Sequence, residues 1–221
     1  ELYDLDTGDD LGSVGGSDAH PWTFVRVTDP NDPNTADGNT DVIIFCTGKG
    51  GPYVWDGTSL YTPTGWADAV DASWCSLVNG TVWFGGFPTQ PQTVLGTGDG
   101  ITASMESLPG YNVFVMSQPV TGLCAYGTGA SAALVIGMNR GLSVLYGTGP
   151  DNYVLQDVPS DDGVLAGRTM VYNNGVIFFL GRQAVYAFNG QSPPIRISDK
   201  VEPWILNDGY VGGYPMDGDR S

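Results

Sequence analysis

The sequence predicts an all-β protein, a β-propeller or part of one, built of short antiparallel meander blades. Thirty-three Gly and 15 Pro divide the 221 residues into short segments. The apolar runs between these breaks are four to six residues long, which suits strands better than helices. A pattern of short strands also recurs every 46 to 49 residues, within the range of about 40 to 50 that is typical of propeller blades.

The clearest strands lie in "GVIFFLGRQAVYAFNG", residues 175–190. Two apolar runs flank a Gly-Arg-Gln break, and the second run ends at Asn189-Gly190. A helix would have to hold Gly181 in its middle, so the pattern favours a hairpin. The preceding "RTMVYNNG" ends in Asn174-Gly175, a dipeptide that takes the positive φ angles of a type I′ turn. Three antiparallel strands are therefore predicted in sequence.

The same layout occurs upstream. A sulfur-containing residue stands five positions before a turn glycine in three places, and each following apolar strand ends in Gly. The pairs are Cys75 and Gly80, Cys124 and Gly129, and Met170 and Gly175, and the closing glycines are Gly85, Gly137 and Gly181. A looser copy, "DVIIFCTGKGGPYVWDG", brings the prediction to four blades. We expect Cys75 and Cys124 to be equivalent, small apolar core residues of neighbouring blades.

The predicted organisation is an acidic N-terminal segment at 1–24, a propeller-like domain at 25–206 and a turn-rich tail at 207–221. The chain is expected to be a piece of a longer protein. Short helical turns are predicted at 66–73 and 200–205, and a sandwich with irregular hairpins remains the alternative fold. Three cysteines without a CxxC pair indicate buried thiols and a reducing origin.

The charge excludes some classes of partner. Twenty-four acidic residues oppose 8 basic ones, for a net charge of −16, and most acids are Asp, which favours loops. Specific nucleic-acid binding requires clustered Lys and Arg, and these are scattered singly here. No run of 18 apolar residues occurs, so no membrane partner is expected.

The short motifs are better explained by structure than by chemistry. "LDTGDD" at 5–10 resembles the Asp-Thr-Gly of aspartic proteases, but Asp4 stands where that family has an apolar strand. The segment 29–41 is rich in oxygen ligands, but it lacks the spacing of a calcium loop. His20 is the only histidine, which leaves neither a nucleophilic triad nor a zinc site. We therefore predict no metal, no cofactor and no enzymatic activity.

Two sugar-related alternatives stay open. A carbohydrate-binding or adhesive propeller would use exposed Trp66 and Tyr111 as its platform. A glycoside hydrolase would need convergent carboxylates, but Glu106 and Glu202 are isolated, and the segment from Ser160 breaks the spacing of an Asp box. Asn79-Gly80-Thr81 has the form of a glycosylation sequon, but it is better explained as a hairpin turn.

The stretch "GVIFFLGRQAVYAFNGQSPPIRISDKVEPWI", residues 175–205, resembles a recurrent segment of tailed-bacteriophage virion proteins. In the packaged-DNA stabilisation and tail-nozzle group, "FFLG" precedes "VYAFNG", a Pro-containing turn, "RIS" and a V-x-P-W-like turn. The resemblance implies a propeller-like ring subunit of the virion tail, below the portal, without enzymatic activity. Its implied partners are further copies of itself, neighbouring tail or portal-adaptor proteins, and DNA that passes without specific binding.

Contact elements are expected where long loops interrupt the hairpin pattern, at 29–41 and 86–110. We predict a small set of interaction residues in the first of these loops, directly after the second, and in the helical turn predicted at 66–73. They are Asp29, Asp32, Asp37, Trp66 and Tyr111.

Overall fold

The computed structural model describes residues 22–28, 41–57, 59–97 and 112–198, with the backbone of two short strand pairs nearer the chain ends. These pairs are β1 (Leu2–Tyr3) with β2 (Asp10–Gly12), and β19 (Tyr210–Val211) with β20 (Tyr214–Pro215). No helix in the described part of the chain is long and apolar enough to cross a bilayer.

Four four-stranded antiparallel sheets form the body of the molecule, and each is termed a blade. Blade 1 contains β3 (Thr23–Thr28), β4 (Asp41–Cys46), β5 (Tyr53–Trp55) and β6 (Leu60–Tyr61). Blade 2 contains β7 (Trp74–Val78), β8 (Thr81–Gly85), β9 (Thr93–Gly96) and β10 (Val113–Val115). Blade 3 contains β11 (Val120–Tyr126), β12 (Ala133–Met138), β13 (Leu142–Tyr146) and β14 (Val154–Val158). Blade 4 contains β15 (Ala166–Asn173), β16 (Val176–Leu180), β17 (Val185–Phe188) and β18 (Ile195–Arg196).

Every blade is a meander in which each strand pairs with the next one along the chain. The first strands of successive blades also contact one another, β3 with β7, β7 with β11, and β11 with β15. The predicted all-β fold of short antiparallel meanders is confirmed, and the arrangement is compatible with a partial propeller. Blade 1 begins at Thr23, two residues before the predicted domain boundary.

Two of the predicted hairpin turns have the expected backbone. Asn79 and Gly80 have φ angles of 51° and 78°, and Asn174 and Gly175 have φ angles of 48° and 83°. Positive φ at both central residues is what a type I′ turn requires, and Asn and Gly accept it at least cost. These dipeptides therefore fix the registers of the β7–β8 and β15–β16 hairpins.

The core lies between blades as three apolar clusters. Each blade has an upstream face, toward the preceding blade, and a downstream face, toward the following one. Adjacent residues of a strand point to opposite faces, so Phe84 packs upstream against blade 1 and Trp83 packs downstream against blade 3. Blades 3 and 4 meet around Val135 and Phe179. A middle blade is consequently buried on both sides, as in β8 and β12.

Cys75 and Cys124 lie in equivalent strands, as predicted, but they point to opposite faces of their blades, which was not predicted. Cys75 lies in the first strand of blade 2 and Cys124 in the first strand of blade 3. Cys75 faces upstream, where its thiol lies 3.6 Å from Thr23 Oγ1, whereas Cys124 packs downstream against the core that blade 4 shares. The β11–β12 connection is longer than the two-residue Asn79-Gly80 turn and holds the 3₁₀ turn Gly129–Ser131. Equal spacing to a glycine therefore does not preserve register.

Two further expectations are corrected. The segment 86–110 is not one loop, because β9 lies within it and is fully buried. The helical turn predicted at 66–73 is a 3₁₀ segment, Thr64–Ala69, that connects blades 1 and 2. The turn predicted at 200–205 and most of the residues at 1–24 and 207–221 lie outside the described residues.

Candidate functional site: a central groove and two uncovered faces

An open groove of about 700 Å³ lies where the first strands of blades 2, 3 and 4 begin. All four blades contribute to its wall. Blade 1 supplies Thr47, blade 2 supplies the segments 73–74 and 86–88 with Pro91, and blades 3 and 4 supply 120–121 and 165–168. A volume of a few hundred to about 1,000 Å³ is typical of ligand pockets. The groove is therefore large enough for a small ligand or a short peptide.

The wall of the groove is mainly apolar. Of its lining residues, Phe87 and Val120 are buried, while Leu165 is 54% exposed. Gly86 has a φ angle of +73°, and a Cβ on it would lie 2.5 Å from Cδ1 of Trp74. Glycine at this position thus allows the Trp74 indole to lie directly against the backbone.

The hydroxyl groups that line the groove donate hydrogen bonds to backbone carbonyl oxygens of the protein. Ser73 Oγ donates to Gly86 O at 2.8 Å, and Thr121 Oγ1 donates to Val164 O at 2.8 Å. Thr47 Oγ1 donates to Lys49 O at 2.7 Å. Arg168, which is exposed, provides the charge in the described lining. This lining contains no carboxylate, imidazole or thiol, so it offers apolar contact and one cation rather than an acid–base pair.

None of the titratable groups with a perturbed pKa is among the described lining residues. Burial raises the pKa of the Cys46 thiol well above its usual value, and contact with Cys75 raises it further. Burial raises the pKa of Cys124 to about 11. Burial and the hydrogen bond from Tyr186 Oη to Asp162 Oδ1, 2.8 Å long, raise the pKa of Tyr186 to about 12. These groups pack between strands and turns.

A carboxylate near the blade 1 hairpin is held in its ionised form. Hydrogen bonds from Thr28 and Arg26 lower the pKa of Asp41, and Arg26 forms an exposed ion pair with it. Within the described ranges no three His, Cys, Asp or Glu side chains come together as a metal site would require.

The predicted interaction residues fall into two groups. Asp29, Asp32, Asp37 and Tyr111 lie outside the described residues, as do His20, Glu106, Glu202 and the segment 29–40. Trp66 is described, and the expectation that it is exposed is wrong, because none of its surface is accessible. Its ring packs edge-on against Phe84 at 5.3 Å between centroids, so Trp66 belongs to the core between blades 1 and 2.

Among the described residues, the upstream face of blade 1 keeps large side chains exposed. Phe24 and Phe45 are paired across β3 and β4, as Cys75 and Phe84 are paired in blade 2. Phe84 has no exposed surface, whereas Phe24 is 68% exposed. Phe45 is half-buried and is flanked by Trp22, with ring centroids 6.1 Å apart.

The downstream face of blade 4 likewise keeps large side chains exposed among the described residues. Val171 pairs with Phe178 across β15 and β16, as Ser76 pairs with Trp83 in blade 2. Trp83 is 1% exposed, but Phe178 is only half-buried and Val171 is 55% exposed. Ile195 of β18 adds a side chain that is 63% exposed.

Sequence reasoning missed both the groove and the uncovered faces. A signal for the faces does exist in the sequence, because the second strands of the first and last blades, β4 from Val42 onward and β16, are apolar on both sides. Such strands, apolar on both sides, indicate burial on both sides. The chain matches no protein-family model, and no curated protein matches it in sequence.

Proposed function

We propose that the chain is a structural virion protein of a tailed bacteriophage, a ring-forming subunit of the tail nozzle or hub that lines or closes the DNA exit channel. The observation that carries this proposal is the group of exposed apolar side chains at each end of the described blade series, Phe24 on blade 1 and Val171 and Ile195 on blade 4. Exposed apolar patches of this kind mark interaction surfaces. A series of blades with such a face at each end is suited to extension by further subunits.

The charge distribution supports a channel that lets DNA pass without binding it tightly. The ranges 22–28, 41–57, 59–97 and 112–198 contain eight acidic and six basic residues, so 16 of the 24 acids lie elsewhere in the chain. Tight binding of duplex DNA requires several Lys or Arg side chains on successive phosphates. The blades are nearly neutral, and passing DNA would meet weak contacts only.

The resemblance of residues 175–205 to tail-nozzle proteins supports the same proposal. Its first part, "GVIFFLGRQAVYAFNG", contains the second and third strands of blade 4. These strands also form much of the uncovered downstream face. The implied location is the virion tail, assembled in the cytoplasm of the bacterial host, with neighbouring tail or portal-adaptor proteins as partners.

A carbohydrate-binding or adhesive function is the second candidate, and the groove favours it. Trp74 is half-buried in the wall, and the exposed guanidinium of Arg168 lines the same groove. An aromatic ring and a hydrogen-bond donor that line one groove can stack on a sugar and orient it. A glycoside hydrolase is less well supported, because the described lining lacks the paired carboxylates that such an enzyme uses.

Virus particles purified by density gradient from a bacterial culture that carries this sequence would test the virion proposal. Quantitative mass spectrometry should find peptides of this chain at several copies per particle, and labelling should place them at the tail. Absence of the chain from purified particles would contradict the proposal.

A glycan array would test the second candidate. Binding that is lost in Trp74→Ala, with unchanged thermal unfolding, would favour the adhesive function. A chain that binds no glycan and co-purifies with particles would exclude that function and leave the structural proposal standing.

A further inference from the structure

We infer that copies of this chain associate head to tail, with the downstream face of blade 4 in one copy packed on the upstream face of blade 1 in the next. This inference rests on the assembly that the proposed function requires, and it names the two surfaces that form the contact. It commits to a second copy of this chain as the occupant of both faces.

The upstream faces of blades 2, 3 and 4 each pack on a preceding blade, and blade 1 has no such neighbour among the described residues. Each places one large side chain of its second strand into the core shared with the preceding blade. These side chains are Phe84, Ile136 and Phe179, and they are at most 1% exposed. In blade 1 the residue equivalent to Phe84 is Phe45, because Phe45 pairs with Phe24 as Phe84 pairs with Cys75. Phe24 itself is largely exposed. The first blade thus carries aromatic side chains like those of a blade interface, together with the exposed Arg26–Asp41 ion pair, and no described blade lies opposite.

The downstream faces show the reciprocal pattern. Trp83 and Val135 of blades 2 and 3 are buried against the following blade. In blade 4 the equivalent strand carries Phe178, which is half-buried, and its neighbours Val171 and Ile195 are more than half exposed. Blade 4 therefore presents the surface that a following blade would cover.

The repeat specifies which surface meets which. In the three interfaces between blades 1 and 2, 2 and 3, and 3 and 4, a downstream face packs on an upstream face. The two uncovered faces are one of each kind, so they complement each other and not themselves. A contact between unlike faces is heterologous, and it either closes into a ring or extends as a filament. Two copies would close at eight blades, within the range of about four to eight known for propellers.

Charge substitutions on the two faces provide the test. Phe24→Asp alters the upstream face and Val171→Asp alters the downstream face, and both sites are exposed enough that the fold should survive. Val115→Asp and Val154→Asp are matched controls, because these residues are 68% and 59% exposed on the fourth strands of blades 2 and 3, away from both end faces. Circular dichroism and thermal unfolding would verify that each variant is folded.

Sedimentation velocity should then distinguish the modes of association. Wild-type protein and both controls should assemble into species of at least two copies. Each face variant alone should be monomeric, since it lacks one of the two unlike surfaces, and an equimolar mixture of the two variants should form a dimer and nothing larger. A monomeric wild type, an assembly that survives Val171→Asp or Phe24→Asp, or a mixture that stays monomeric would each overturn the inference.

This outcome is separable from that of the virion proposal. A chain found in particles but monomeric alone would overturn head-to-tail pairing and leave the proposed function. A chain that pairs head to tail but is absent from particles would contradict the virion proposal and leave the head-to-tail pairing standing.

Discussion

Gly122 and Gly167 bring the first strands of blades 3 and 4 into backbone contact. A Cβ on Gly122 would lie 2.7 Å from Cα of Gly167, and a Cβ on Gly167 would lie 1.9 Å from the carbonyl oxygen of Thr121. Gly167 also lines the central groove. The close approach of β11 and β15 therefore helps to set the shape of the groove.

Gly167→Ala should destabilise the protein by about 3 kcal/mol, at the upper end of the cost of overpacking, because the obstructing atom belongs to the backbone. Urea unfolding would measure the change. Gly149→Ala is the control, since nothing lies within 4 Å of a Cβ at that site and its φ is −171°. A Gly167→Ala variant as stable as Gly149→Ala would contradict the contact.

Trp66→Ala should lower the free energy of unfolding by about 3–5 kcal/mol, the usual cost of removing a buried aromatic ring. Trp66 has no exposed surface and packs on Phe84. Chemical denaturation would provide the measurement, with Val115→Ala as the exposed control. A change of less than about 1 kcal/mol would show that Trp66 is a surface residue, as the sugar-platform alternative requires.

Asn79→Ala should cost more than Asn174→Ala by about 1–3 kcal/mol. Both residues have positive φ in equivalent turns, so the backbone contribution is matched. The Asn79 amide also donates to the carbonyl oxygens of Ala132 and Gly147 in blade 3, at 3.1 and 2.9 Å. Equal effects of the two substitutions on the urea midpoint would show that these hydrogen bonds between blades contribute nothing.

Stability should fall between about pH 9 and pH 11. The pKa of Cys124 rises from 9.0 to about 11 on burial, so the folded state holds its proton where the unfolded state has lost it. Ionisation therefore favours unfolding across this window. Cys124→Ala should lose about 1–2 kcal/mol less than the wild type between pH 8 and pH 11. Identical pH profiles for the two proteins would refute the assignment.

Much of the fold could be predicted from residues that control local backbone geometry. Asn174-Gly175 and the short apolar runs after it specify the hairpins of blade 4, because turn geometry and strand alternation are local properties. The face of Cys124 could not be predicted from its distance to Gly129. It depends on the length of the β11–β12 connection, and a change of one residue in register reverses every side chain.

The groove could not be predicted in the same way. Thr47, Trp74, Val120 and Arg168 come from four blades and converge only when the first strands pack together. The exposure predicted for Trp66 is wrong for a related reason. A tryptophan in an irregular segment can be exposed or buried, and the sequence alone does not decide which. Here the 3₁₀ connection places it over Phe84.

Cryo-electron microscopy of the purified chain tests the central claim most directly, because it counts blades around an axis. The account predicts closed rings in which unlike end faces meet and the number of blades is a multiple of four, with eight as the smallest ring. Isolated four-blade units, or pairs joined through like faces, would contradict it.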